Sequence, residues 1–314
     1  VDNINVVTDI VDITSWQKDD TYGGVHPFGS RDKGSVFSPV NPDYNFIKAD
    51  HRYLFKESRD KFPWQFWIEV IAFNVGKLMN VVVPPAYVGY DSNTSTYAAL
   101  IEWFYNERKQ VHFHGGDIVI NLIPDYDRHR GSQHNWLTIF NWEQIDKKQE
   151  LIKHWAKIFI FDAFIGNTDR HQDNWGIIGS KVSETEYSIE EFSPAFDNGT
   201  SLGYEILERK FSKYDGDKLN EYIMGGKHHM KWSLDDNIRL NHIEMIQKFI
   251  LEYPEARTIM YDCLNFDLND VWEILRILSE IDIPVPLSKE RINLIFRLFE
   301  KRYNELVLVV REDK

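Results

Sequence analysis

Three oxygen-bearing side chains carry the strongest chemical signal in this chain. Asp169 and Asn174 lie five positions apart in a polar run, Gly166-Asn167-Thr168-Asp169-Arg170-His171-Gln172-Asp173-Asn174. Asp197 follows in Phe196-Asp197-Asn198-Gly199. A carboxylate can orient or deprotonate a hydroxyl. An amide oxygen and a second carboxylate are the hard ligands that Mg²⁺ prefers. Moving a phosphoryl group needs these parts, together with a cation on the phosphates. Either motif alone is a common turn sequence. Their order, with an apolar run before the first and two strand-like runs between them, argues for one site.

The elements around these residues are readable from periodicity. Residues 149–165 are apolar almost all round, which marks a helix buried at the centre of a lobe. Residues 174–179 and 186–192 read as a strand pair leading to Asp197. Upstream, 5–15, 44–48, 53–56, 81–83, 86–90 and 97–104 read as strands, and 22–39 as a loop holding Gly23, Gly24, Gly29 and Gly34. One helix is expected over 63–80, opened by Pro63. Its stripe at helical spacing is Phe66, Trp67, Val70, Ile71, Asn74 and Leu78. Residues 106–130 read as polar loop, and 218–310 as helical, with Ser288 as N-cap of the last helix. The expected class is therefore α+β. A small β-rich lobe (1–105) precedes a larger helical lobe (106–314), in a two-lobed, protein-kinase-like arrangement.

Composition narrows the function classes. The chain has 314 residues and a formal net charge of −13. That balance disfavours direct nucleic-acid binding, which needs phosphate-neutralising cations. No run approaches the roughly 20 apolar residues of a membrane helix, so no membrane partner is expected. A single cysteine, Cys263, excludes an internal disulfide, fits a cytoplasmic setting and reads as a core residue. The histidine pairs His112/His114 and His228/His229 match no zinc pattern.

Asp169-Arg170-His171 followed by Asn174 resembles the catalytic loop of phosphoinositide kinases. The wider context, residues 164–174 with Ala195-Phe196-Asp197-Asn198-Gly199, is similar to the C-terminal kinase domain of the HipA-like serine/threonine kinases. The resemblance implies ATP and Mg²⁺ as cofactors, Asp169 as catalytic base, and Asn174 and Asp197 on the metal. His171 then assists, by positioning Asp169 or by stabilising transferred charge. A strand lysine paired with a helix glutamate would meet the phosphates; Lys56 with Glu69 is the expected pair, with Lys48 as competitor. Ser30, Arg31 and Lys33 form a candidate phosphate loop, in which Ser30 and Ser35 are candidate autophosphorylation sites. The backbone of Glu102, Trp103 and Phe104 would hold adenine. The basic, glycine-rich 225–232 stretch is a candidate substrate contact or a surface turn. Some HipA-like proteins are toxins held by an antitoxin, so a protein substrate and an antitoxin or regulator are the implied partners. A lipid or small-molecule kinase, and a non-catalytic nucleotide-binding module, are the competing readings.

Overall fold

The computed structural model describes residues 5–19, 33–143, 147–183 and 186–311. Six strands form one sheet: β1 (Ile10–Asp12), β2 (Gln17–Lys18), β3 (Lys33–Phe37), β4 (Arg52–Lys56), β5 (Ala86–Asp91) and β6 (Thr96–Glu102). Their order is β1-β5-β6-β4-β3-β2, with β1 parallel to β5 and the other pairs antiparallel. Side chains alternate across the sheet, as the strand period requires. Val88 and Ala99 face the helix α1 (Phe66–Leu78) and join the large core. Tyr53, Phe55, Tyr87, Ala98 and Leu100 close a separate small core on the other face.

Helices follow. They include α2 (Gly115–Val119), α3 (Trp136–Phe140), α4 (Lys148–Ile165), α5 (Gly216–Gly225), α6 (His242–Glu252), α7 (Ala256–Cys263), α8 (Leu268–Ser279) and α9 (Lys289–Val310). A second sheet, β7 (Gln110–His114), β8 (Gly176–Lys181) and β9 (Tyr187–Phe192), is antiparallel in the order β7-β8-β9. α4 is buried along most of its length and packs on α6, α7 and α9. Ser288 caps α9 by accepting from the Arg291 N–H. Cys263 is buried, and burial pushes its thiol up to about 11, so it is an inert core group. Among the described residues, no helix is long and apolar enough to cross a membrane.

Several expected elements differ. Residues 44–48 are turns, because side chains satisfy their backbone: Tyr53 Oη accepts from the Lys48 N–H and Ser38 Oγ donates to the Lys48 carbonyl. Residues 81–83 form no strand; Val81 N–H returns to Gly76 O, and Val82 O accepts from Ala195 N–H. Of 5–15, Ile10–Asp12 is strand. The 22–39 loop contains β3, a short strand disguised by Gly34. The 106–130 loop contains β7 and α2, and 226–241 is not helical.

Candidate active site

The site begins where α4 ends. Gly166 adopts the left-handed conformation (φ 69°) and its N–H bonds Asp162 O. A Cβ at this position would lie 2.1 Å from Arg302 Nη2. Gly166→Ala therefore meets backbone strain and overpacking together. It is expected to destabilise the fold by roughly 2–4 kcal/mol, read as a lowered urea midpoint with unchanged slope.

The loop after Gly166 is held by its own polar groups. Asn167 Oδ1 accepts from the Asp169 N–H (3.0 Å). Asn174 Nδ2 donates to Asp169 O (2.8 Å), which fixes the amide plane and leaves Oδ1 as a free acceptor. His171 Nδ1 accepts from the Asp173 N–H (3.1 Å), so a neutral His171 carries its proton on Nε2. Asp173 is anchored by Arg128, whose Nη2 is 2.6 Å from Oδ1.

Arg170 is the keystone that the sequence reading left without a role. It is fully buried. Its Nε and Nη2 clasp Asp162 at 3.0 and 2.7 Å. Nη2 also reaches Asn198 Oδ1 (2.8 Å), and Nη1 donates to both Asn174 O and Phe196 O. One guanidinium thus joins the Asp169–Asn174 loop to the segment that carries Asp197. The available signal was Asp162, a carboxylate inside an otherwise apolar helix, where a buried charge demands a partner. Burial raises the Asp162 carboxyl, but Arg170 and His228 outweigh it and hold it at about 2.

Asp197 itself is in the left-handed region (φ 56°). Its Oδ1 lies 2.6 Å from Lys56 Nζ, and Lys56 Nζ lies 2.7 Å from Glu69 Oε1. Lys56 and Glu69 are 5% and 4% exposed, at the end of β4 and on the inner face of α1. Glu69 also accepts from the backbone N–H groups of Asn198 and Gly199, both at 3.0 Å. The competitor Lys48 is instead paired with Glu102 Oε1 at 2.6 Å. Burial raises the Asp169 carboxyl above its ordinary value. Asp197 adds to that rise, while His171, Arg170 and Lys56 oppose it.

The residues expected to meet adenine are partly engaged. Glu102 N–H donates to Pro85 O and Trp103 N–H to Arg52 O, while Trp103 O accepts from His51 Nε2 (2.9 Å). Phe104 N–H and C=O make no hydrogen bond among the described residues. The Phe104 ring stacks on Phe196 with centroids 5.1 Å apart. Both rings neighbour His112, which burial, then His114, lowers to about 3 and keeps neutral. Ser30 and Arg31 lie outside the described residues. Lys33 begins β3, in register with Lys56. Ser35 is 7% exposed within β3, so in this conformation its hydroxyl is withheld from transfer chemistry.

Among the described residues, no group of three or more His, Cys, Asp or Glu could hold a metal. Asn174 and Asp197 still fit a Mg²⁺ ion, which takes few protein oxygens and fills its shell with phosphate and water. Asp169 also lines a cleft of about 650 Å³, bordered by Thr168, Gly225 and Gly226. The first part of the glycine-rich stretch therefore borders the Asp169 cleft, while His228 and Met230 are buried.

No known family profile matches the sequence, and no curated protein matches it. Solved structures do. A proinflammatory kinase of Helicobacter pylori, CtkA, matches with a TM-score of 0.73 at 19% identity, covering 96% of each chain. HipA of the Shewanella oneidensis MR-1 toxin–antitoxin system, solved with HipB and operator DNA, gives 0.47 at 10% identity, over 93% of this chain and 65% of that one. A Golgi casein kinase solved with Mn/ADP gives 0.42 at 12% identity, over 98% and 75%. The likeness to CtkA over nearly the whole chain, with the N-terminal sheet followed by helices, identifies a protein-kinase-like fold.

Proposed function

We propose that this chain is an ATP- and Mg²⁺-dependent phosphotransferase, a HipA-like serine/threonine protein kinase that moves the γ-phosphoryl group of ATP to a hydroxyl. The observation that carries the reading is the Arg170 junction. Its Nη1 bonds the carbonyls of Asn174 and Phe196 together, which ties the Asp169–Asn174 loop to the Asp197 segment and supports reading them, with the Lys56–Glu69 pair, as one site. Asp169 orients the acceptor hydroxyl and takes its proton. Lys56, held by Glu69, meets the phosphates and in doing so exchanges its bond to Asp197. Asn174 Oδ1 and the released Asp197 carboxylate would hold Mg²⁺, which supplies charge neutralisation on the phosphates when bound. The unbonded N–H and C=O of Phe104 supply the adenine contacts. Protein as the acceptor class rests on the resemblance to the HipA-like kinases, while Asp169-Arg170-His171 supports a lipid or small-molecule acceptor as the alternative.

The test is transfer of label from [γ-³²P]ATP. Asp197→Ala is expected to lower transfer by on the order of 10²–10³-fold, the scale of losing one charge clamp on a phosphoryl group, with a wild-type circular dichroism spectrum. Wild-type protein that binds Mg-ATP yet labels no protein, lipid or metabolite acceptor would leave a nucleotide-binding module. Equal transfer by wild type and Asp197→Ala would refute the site.

A further inference from the structure

Asp169 also borders the 650 Å³ cleft, a volume in the range of small-ligand sites. The deep part of the cleft is built from Arg302 of α9 and His242 of α6, which are 6% and 7% exposed. The rim carries the exposed carboxylates Glu205 and Glu221. Glu205 is already engaged, since it accepts from Tyr222 Oη at 2.7 Å. His242 is lowered to about 3, by burial and then by His228. It is therefore neutral, and Arg302 is the buried cation of the cleft, which the half-buried Arg59 also lines.

Arg302 shares with Arg291, the other buried arginine of α9, the lack of a carboxylate partner among the described residues, but Arg291 lies over the Trp64 ring whereas Arg302 lines the cleft. Lys56, Arg52 and Arg170 each meet at least one carboxylate. Arg302 makes one hydrogen bond, Nη1 to Ile165 O at 3.2 Å. No described carboxylate lies within ion-pair distance of it. The carbonyl belongs to the last turn of α4, whose negative end favours a cation, and this accounts for one edge of the guanidinium. Among the described residues the remaining N–H groups have no partner, and they open to the cleft. A mostly buried guanidinium whose open N–H groups face a cleft that Asp169 also lines presents a fixed fork that an anion can complete. Its position is also fixed, because the guanidinium lies against Gly166, where any Cβ would displace it.

We propose that the acceptor bound in this cleft carries one anionic group, a carboxylate or a phosphate, which pairs with Arg302 while its hydroxyl lies at Asp169. This rests on the phosphotransfer reading above. The hydroxyl proton passes to Asp169 and the hydroxyl oxygen bonds the γ-phosphorus. The bond from that phosphorus to the β–γ bridging oxygen breaks, and ADP leaves with the electron pair. The acidic rim selects a single anion over a polyanion. A free hydroxy acid and an acidic residue next to a serine are the two sources of such a group.

Two measurements test it. In the first, the arginine Nε–Hε NMR signals are followed while inorganic phosphate or acetate is added to the whole chain. One signal, absent from Arg302→Lys, is expected to shift and saturate at millimolar anion. The second compares kcat/KM for matched acceptors: glycerate against glyceramide, and serine peptides with neighbouring Glu against Gln. The acid form is expected to be favoured roughly 10–100-fold, the scale of a charge-assisted hydrogen bond. That preference should fall to within a few-fold in Arg302→Met. Arg302→Lys keeps the cation at the end of α4 but not the fork, so it provides the same test if the Met variant fails to fold. The small-acid and peptide arms identify the source of the anion. No shift at tens of millimolar anion, an acid-to-amide ratio near one, or a ratio preserved in both variants would overturn the proposal. A saturating Arg302 shift in protein that neither binds Mg-ATP nor phosphorylates any acceptor would support the anion site and refute the phosphotransfer reading.

Discussion

Replacing Asp169 by Asn is expected to lower kcat for phosphoryl transfer by roughly 10²–10⁴-fold, the usual contribution of a general base, with Mg-ATP affinity changed by no more than a few-fold. The loop contacts at this residue use its backbone: the N–H bonds Asn167 and the carbonyl holds the Asn174 amide. They survive the substitution, so the loss reports the carboxylate. The pH profile gives a sharper test. Burial raises the Asp169 carboxyl, and Asp197 reinforces the rise. A base works when ionised, so activity climbs with pH through its folded pKa. The acid limb of kcat/KM should therefore have its midpoint above the ordinary aspartate value of about 3.9, and Asp169→Asn should remove that limb. The same shift affects stability. A carboxyl whose folded pKa is raised stabilises the fold most below its unfolded pKa and loses that contribution as pH rises through the folded value. At pH 7 the ionised Asp169 is thus a liability to the fold, and Asp169→Asn should unfold at a higher urea concentration than wild type. An acid limb at or below the ordinary value, or one that persists in Asp169→Asn, would remove Asp169 from the role of base.

Arg170→Met should have the largest effect on stability, about 3–5 kcal/mol, as expected for removing one partner of a buried pair. The loss extends beyond one ion pair. Asp162 is left buried, and the carbonyls of Asn174 and Phe196 and the Asn198 amide lose their common donor. Arg170→Lys keeps the charge but cannot serve four partners on one compact ammonium, so it should recover only part of the loss. The sign with pH is diagnostic. In wild type the Asp162 carboxyl is held at about 2. Its contribution is present above the unfolded value near 3.9 and is lost as pH falls toward about 2. In Arg170→Met the buried carboxylate has lost that cation and takes up a proton more readily. The gap between wild type and variant should therefore narrow as urea unfolding is moved from neutral pH toward pH 3. A gap independent of pH would mean that packing around Arg170, rather than its charge, holds the junction.

The parts of this fold legible in the sequence are those with strong local periodicity. α4 was visible as a buried helix because apolar residues cover nearly all its faces, and α1 because its stripe recurs at helical spacing. The order of sheet before helices followed. β3 was not visible because Gly34 interrupts its pattern, and β7 because it is a short strand whose partner, β8, is distant in sequence. Residues 44–48 looked like a strand by composition, yet the hydroxyls of Ser38 and Tyr53 take up their backbone groups. In the site, Lys56 and Glu69 could be paired from sequence because one ends a strand and the other lies on the buried face of the next helix. Arg170 could not be given its role, since its partners lie at four places along the chain. Arg302 was equally hidden. Its position on the stripe of Leu298, Phe299 and Leu306 in α9 turns it inward, but its neighbours Ile165 and Gly166 lie far away in sequence.

The sheet order has a consequence for local unfolding. β4, which carries Lys56, is flanked by β6 and β3, while β1 and β2 form the two edges. β1 meets β5 across 78 positions of sequence at Ile10 and Val88, whereas β5 and β6 are joined by a tight turn. Contacts that close long loops regain less per residue ordered, and edges open before centres. Amide hydrogens in the β1–β5 pairing should therefore exchange with solvent before those between β4 and β6. The sheet can breathe at either edge while the strand that positions Lys56 stays in place.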